Sequence, residues 1–80
     1  MGYRRGSMKA EEWIERFAAA TGAPPLSEAE IAKLLDLAGE AAHSSERIAA
    51  PLACWIAGRQ GLDLDEAMAL AKQIGDSSAE

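Results

Sequence analysis

The sequence predicts an all-α protein, a compact bundle of four short helices. Alanine is frequent, valine is absent and aromatic residues make up 5% of the chain, a composition that favours helices over sheets. Apolar residues recur at helical spacing in segments that begin at polar caps and end at glycine or proline. Eighty residues suffice for one domain. We predict a disordered or cloning-derived segment at 1–8, the helical domain at 9–75 and a disordered tail at 76–80.

The first helix is predicted over residues 9–21. Trp13, Ile14 and Phe17 form an apolar stripe there, opposite several acidic residues. Gly22 can adopt the left-handed conformation that ends many helices, and the two prolines that follow it prevent continuation.

A capping box begins the second helix. In the sequence Ser27-Glu28-Ala29-Glu30, the Ser27 hydroxyl can accept a bond from the Glu30 amide while the Glu30 carboxylate accepts one from Ser27. The helix is predicted to end between Ala42 and Ser44. Gly39 inside it costs about 1 kcal/mol relative to alanine, so we expect another helix to pack closely at that position.

Proline and aspartate mark the starts of the last two helices. Pro51 is expected in the first turn of the third helix, where a missing amide proton costs nothing. That helix is predicted to end near Gly61. Asp63 is the predicted N-cap of the fourth helix, with Glu66 at the capping-box position, and Gly75 is expected to end it.

Large apolar residues supply the predicted core. Trp13 and Trp55 are expected inside it because so small a chain has few other bulky side chains, although tryptophan is also frequent at binding hot spots. Ile48 is expected to turn inward from the connection before the third helix. Cys54 lies within an apolar helix, and we interpret it as a buried, inert thiol.

The candidate site is the polar junction between the second and third helices, with His43, Glu46, Arg47, Pro51 and Trp55 as its binding residues. His43 could be a proton shuttle near neutral pH, or it could bond the carbonyls that end its helix. Glu46 and Arg47 could form an exposed ion pair, or Arg47 could bind an anion beside the N-terminus of the third helix. No catalytic residue, metal ligand or cofactor is assigned, and the chain is not expected to be an enzyme on its own.

Composition argues against several classes of protein. A net charge of −5 and the lack of a basic stripe are unlike nucleic-acid-binding proteins. A single cysteine allows neither an intrachain disulfide nor a cysteine-based zinc site. No apolar run is long enough to span a membrane, and no signal peptide is visible. We therefore expect no nucleic-acid or membrane partner and a cytoplasmic location.

Two segments, EEWIERF and LLDLAGEAAHSSERIAAPLACWIAG, resemble the DUF6457 family, a small actinobacterial helical domain of unknown function. The likeness extends over residues 9–74. Ile48 and Gly39 depart from the pattern, at positions where the family usually has proline and a charged residue. The most specific positions are Asp36-Leu37-Ala38, Ala42-His43, Glu46-Arg47 and Ala49-Ala50-Pro51-Leu52.

The resemblance implies a function by association. The family occurs alone or fused after a molybdenum cofactor guanylyltransferase domain, and it is linked to formate dehydrogenase accessory proteins. This implies a protein-binding accessory module in the biosynthesis or delivery of the molybdopterin guanine dinucleotide cofactor, with one of those proteins as partner. Two alternatives stay open, a domain that binds a small anionic ligand (a nucleotide or pterin phosphate) and a structural helical homodimer. The chain is thus expected to be a monomer or a homodimer.

Overall fold

Four helices follow one another in the computed structural model, which describes residues 8–78. They are α1 (Ala10–Thr21), α2 (Glu28–Ser44), α3 (Ala49–Gln60) and α4 (Leu64–Ser78). No strand occurs within residues 8–78, and the all-α prediction is confirmed. Side chains are described as far as Asp76, and the predicted N-terminal segment lies outside the described residues except for Met8.

The local signals that begin and end the helices act as the sequence predicts. Gly22 has a φ of 83°, in the left-handed region, and closes α1. The Ser27 hydroxyl accepts from the Glu30 amide at 3.0 Å and Ser27 donates its own amide to the Glu30 carboxylate at 2.8 Å, so the capping box is complete. The Asp63 carboxylate caps α4 by accepting from the amides of Asp65 and Glu66.

Two expectations about glycine are wrong. Helix α4 continues through Gly75 to Ser78, so residues 76–78 are helical, while residues 79 and 80 lie outside the described range. A Cβ added at Gly39 would have nothing within 4 Å, so no helix packs closely there. The close approach is at Gly75 instead, where a Cβ would lie 2.7 Å from Glu40 Oε2 and 3.2 Å from Ser44 Cβ. Gly75 therefore lets α4 pack tightly on the C-terminal half of α2.

Helix α2 is the centre of the packing and lies against both α3 and α4. The buried core consists of Leu37 from α2, Ala57 from α3 and Ala67 from α4. Two of these three residues are alanines, so the core is thin. Helix α1 has no buried residue and packs on no other helix to a comparable extent.

The large residues expected in the core are exposed. Trp13 is 52% exposed, Trp55 is 66% exposed and Ile48 is 68% exposed, so the predictions that placed them inside are wrong. Trp55 is exposed because α3 packs on α2 through the side that carries Ala57. At about 3.6 residues per turn, Trp55 lies about 160° around the helix from Ala57.

Candidate functional site

The five predicted site residues lie along the α2–α3 junction and the start of α3. His43 is in the last turn of α2, Glu46 and Arg47 are in the turn, and Pro51 is the third residue of α3, with Trp55 one turn further on. All five side chains are exposed. Neither a hydrogen bond nor an ion pair within residues 8–76 orients His43, Glu46 or Arg47, and Glu46 and Arg47 do not pair with each other.

The first three residues of α3 offer no free amide to an anion. Ala49 donates its amide to the Glu46 carbonyl at 2.9 Å, and Ala50 donates to the Arg47 carbonyl at 3.1 Å. Pro51, the next residue, has no amide proton. Anion sites at helix N-termini depend on free N–H groups in the first turn. The feature that favoured an anion beside Arg47 is therefore missing from this helix.

The outward side of α3 is an apolar surface. Ile48, Leu52 and Trp55 follow one another at spacings of four and three residues, which places them on one side of the helix, and each is more than half exposed. We call these three residues the α3 face. Trp55 is among the predicted site residues, whereas Ile48 and Leu52 are not, although their spacing with Trp55 is a signal that could identify them.

A shallow apolar groove adjoins the α3 face. It encloses about 230 Å³ between α3 and α4, and its exposed walls are Ile56, Leu70 and Ile74. Leu37, Ala57 and Ala67 lie at its base, so the core of the protein is open on this side.

A second apolar surface lies between α1 and α2. Trp13 and Phe17 stack with ring centroids 5.2 Å apart and an angle of 19° between their planes, and both are more than half exposed. Beside them, a groove of about 440 Å³ separates α1 from α2. Its lining is apolar except for Glu11, and consists of Ala10, Glu11, Ile14, Leu26, Ile31, Leu34 and Leu35.

Cys54 faces the packed side of α3. Its side chain is partly buried, and its Sγ lies 3.9 Å from the Leu34 carbonyl oxygen. Burial raises the pKa of the Cys54 thiol because desolvation disfavours the thiolate. A thiol held in its neutral form is a poor nucleophile, so the inert interpretation of Cys54 agrees with its surroundings.

Within the part of the chain that the structure describes, no three His, Cys, Asp or Glu side chains are grouped as metal ligands would be. No helix there has the length and apolar character needed to cross a membrane.

Comparison with known proteins identifies the family. The model of a domain of unknown function, DUF6457, matches residues 6–79, and the chain therefore belongs to that family. No curated protein and no solved structure shows significant similarity to the chain.

Proposed function

We propose that this DUF6457 domain is a protein-interaction module with no catalytic activity of its own, and that its partner binds the α3 face. The observation that carries the proposal is the exposure of Ile48, Leu52 and Trp55 along one side of a helix. Soluble monomers rarely expose neighbouring large apolar side chains in this way unless a partner covers them. Tryptophan is also enriched among the residues that dominate binding energies. His43, Glu46, Arg47 and Pro51 lie at the N-terminal end of the same face and would form its polar rim.

The pathway part of the proposal rests on the motif resemblance rather than on geometry. It names a molybdenum cofactor guanylyltransferase or a formate dehydrogenase accessory protein as the partner, and a cytoplasmic location follows from that partner. The anionic-ligand alternative has less support, because the first three residues of α3 have no free amide and none of the grooves described above includes His43 or Arg47.

Calorimetric titration of this chain into each purified candidate partner from the same organism tests the proposal. We expect binding by the unmodified chain and a loss of about tenfold or more in affinity for Trp55→Ala, the effect of a binding hot spot. Trp13→Ala is the matched control, because Trp13 is also a half-exposed tryptophan but lies on the other surface. Arg47→Ala should weaken binding by a smaller factor as a rim residue.

Three results would contradict the proposal in different ways. Lack of binding to either candidate partner would refute the pathway. Binding that Trp55→Ala leaves unchanged would refute the α3 face. Turnover of a nucleotide or pterin substrate by the isolated chain would refute the absence of catalysis.

A further inference from the structure

We infer that the surface between α1 and α2 is the interface of a two-fold symmetric homodimer, in which the Trp13–Phe17 stack of each copy enters the α1–α2 groove of the other. The surface, here called the α1–α2 surface, consists of Trp13, Ile14, Phe17, Leu26 and Leu35. The inference does not depend on the proposed partner, because it concerns a different part of the molecule.

The α1–α2 surface carries both halves of a self-complementary contact. In a two-fold dimer the same patch faces itself, so a projecting group and its receiving groove must lie side by side on one chain. Here the projecting group is the Trp13–Phe17 stack. The adjacent groove of about 440 Å³ has apolar walls. An apolar cavity of about 150 Å³ is large enough to bind benzene. The volume of the groove is larger, so an aromatic ring can enter it.

Opposite charges lie at the two halves of this contact. Arg16 lies beside Trp13 and Phe17, at the projecting part of the surface. Glu11 lines the groove, and Glu15 and Glu28 line an adjoining depression that shares apolar residues with it. Insertion of the stack into the groove of a second copy therefore brings an arginine towards carboxylates, twice per dimer. Arg16 also pairs with Glu12 in its own helix at 3.0 Å, but an exposed pair of this kind contributes only about 0–1 kcal/mol and can exchange its partner.

The exposed area of the α1–α2 surface is close to what a dimer interface needs. Trp13 and Phe17, each about half exposed, leave on the order of 100 Å² apiece uncovered, given the 150–250 Å² of a whole aromatic side chain. With Ile14, Leu26 and Leu35, the apolar part amounts to something on the order of 500 Å² by the same measure. A polar rim of charged residues from both helices brings this towards the roughly 800 Å² that each partner contributes to a standard interface.

Helix α1 lacks a buried residue that would anchor it to the rest of the protein. It is 12 residues long and none of them is buried. Isolated helices shorter than about 12–15 residues are marginal in water, and helices in proteins are held mainly by packing of their apolar side. A second copy that covers Trp13, Ile14 and Phe17 supplies that packing.

Sedimentation equilibrium of the full chain over a range of concentrations tests the dimer. We expect the mass to rise from 8.4 kDa towards twice that value and no further, since a two-fold contact closes at two copies. Trp13→Ala should raise the dimer dissociation constant by about thirtyfold or more, as for an interface hot spot. Trp55→Ala is the matched control and should leave the dissociation constant unchanged.

A second variant guards against loss of structure. Leu35→Gln changes a side chain that is 66% exposed on α2, so the monomer should keep its helical circular dichroism while the dimer weakens. A monomeric mass at about 1 mM, where even weak dimers form, would overturn the inference. A trimer or larger assembly would also overturn it. So would a dimer that is disrupted by Trp55→Ala but stays intact in both Trp13→Ala and Leu35→Gln.

The charge arrangement has its own test. Arg16→Glu should place carboxylates on both halves of the contact, and Glu15→Lys should add a positive charge to the groove side. Each variant alone should dimerise about tenfold more weakly, because the symmetry changes two pairs at once. An equimolar mixture of the two should recover dimers, since opposite charges then meet. If the mixture dimerises no more strongly than either variant alone, the proposed orientation is refuted.

Discussion

Helices α1 and α3 are both 12 residues long, yet they use their apolar residues in opposite ways. Helix α1 has an ordinary amphipathic pattern, but its apolar stripe stays half exposed. Helix α3 has apolar residues almost all round; it packs through Ala57 and Cys54 and leaves Leu52 and Trp55 outside. The axes of packed helices lie about 8–10 Å apart, and the distance depends on the side chains between them. Alanine at the contact allows a distance near about 8 Å.

The comparison shows that size, and not hydrophobicity alone, decides which side of a helix is buried here. Small side chains let α3 lie close to α2, and the large side chains then remain available for other contacts. Helix α1 also contains alanines, of which Ala18 is partly buried, but its bulky stripe of Trp13, Ile14 and Phe17 stays exposed. This difference underlies our proposals that a partner covers the α3 face and that a second copy covers α1.

The largest expected effect is on the core that α3 shares with α2. Leu37 is 3% exposed and is the only large residue among the three that are buried in the described structure. Leu37→Ala should lower the free energy of unfolding by about 2–5 kcal/mol, which is most of the stability of so small a domain. The control is Leu35→Ala, two residues earlier and exposed, which should change it by less than about 0.5 kcal/mol in dilute solution.

Urea denaturation at low protein concentration measures both variants without a contribution from dimerisation. Equal losses for the two leucines would contradict the assignment of Leu37 to the core and of Leu35 to the surface.

A smaller effect is expected from enlarging an alanine in each of the two helices. Ala57→Leu inserts three carbon atoms where α3 meets α2 and should destabilise the fold by about 1–3 kcal/mol through overpacking. Ala20→Leu enlarges an exposed position of α1 and should be neutral within about 0.5 kcal/mol. Thermal unfolding followed by circular dichroism distinguishes the two. If Ala57→Leu were tolerated as well as Ala20→Leu, close packing of α3 through its alanines would be disproved.

The smallest effect is expected at the two helical glycines of the α2–α4 pair. Gly39→Ala should stabilise the protein by about 0.4–1 kcal/mol, because alanine favours helix and nothing obstructs its Cβ. Gly75→Ala should stabilise the protein less than Gly39→Ala does, or destabilise it, because the new Cβ would press on Glu40 and Ser44. A larger gain at Gly75 than at Gly39, measured by urea denaturation, would show that α2 and α4 approach less closely there.

The candidate site could be predicted only in part. Polar residues in an apolar sequence are conspicuous, so the pattern locates His43, Glu46 and Arg47 at the end of α2 and in the connection that follows; their role in binding stays a prediction. The sequence is compatible with Trp55 either in a site or in the core, and the structure shows it exposed. Isoleucine near a helix start suggests burial, but Ile48 is exposed, because no local signal says which side of α3 faces α2.

The sequence by itself determined where the helices lie. Gly22, Ser27 and Asp63 act through hydrogen bonds or backbone conformation within about four residues, so their effects can be derived from neighbouring positions. Tertiary structure decided which side of each helix is buried and where α4 ends. Gly75 could remain helical because packing against Glu40 and Ser44 stabilises the α2–α4 contact, and those residues lie about thirty positions away in the chain. Which residues are buried depends on such distant contacts, and these cannot be derived from neighbouring positions in the sequence.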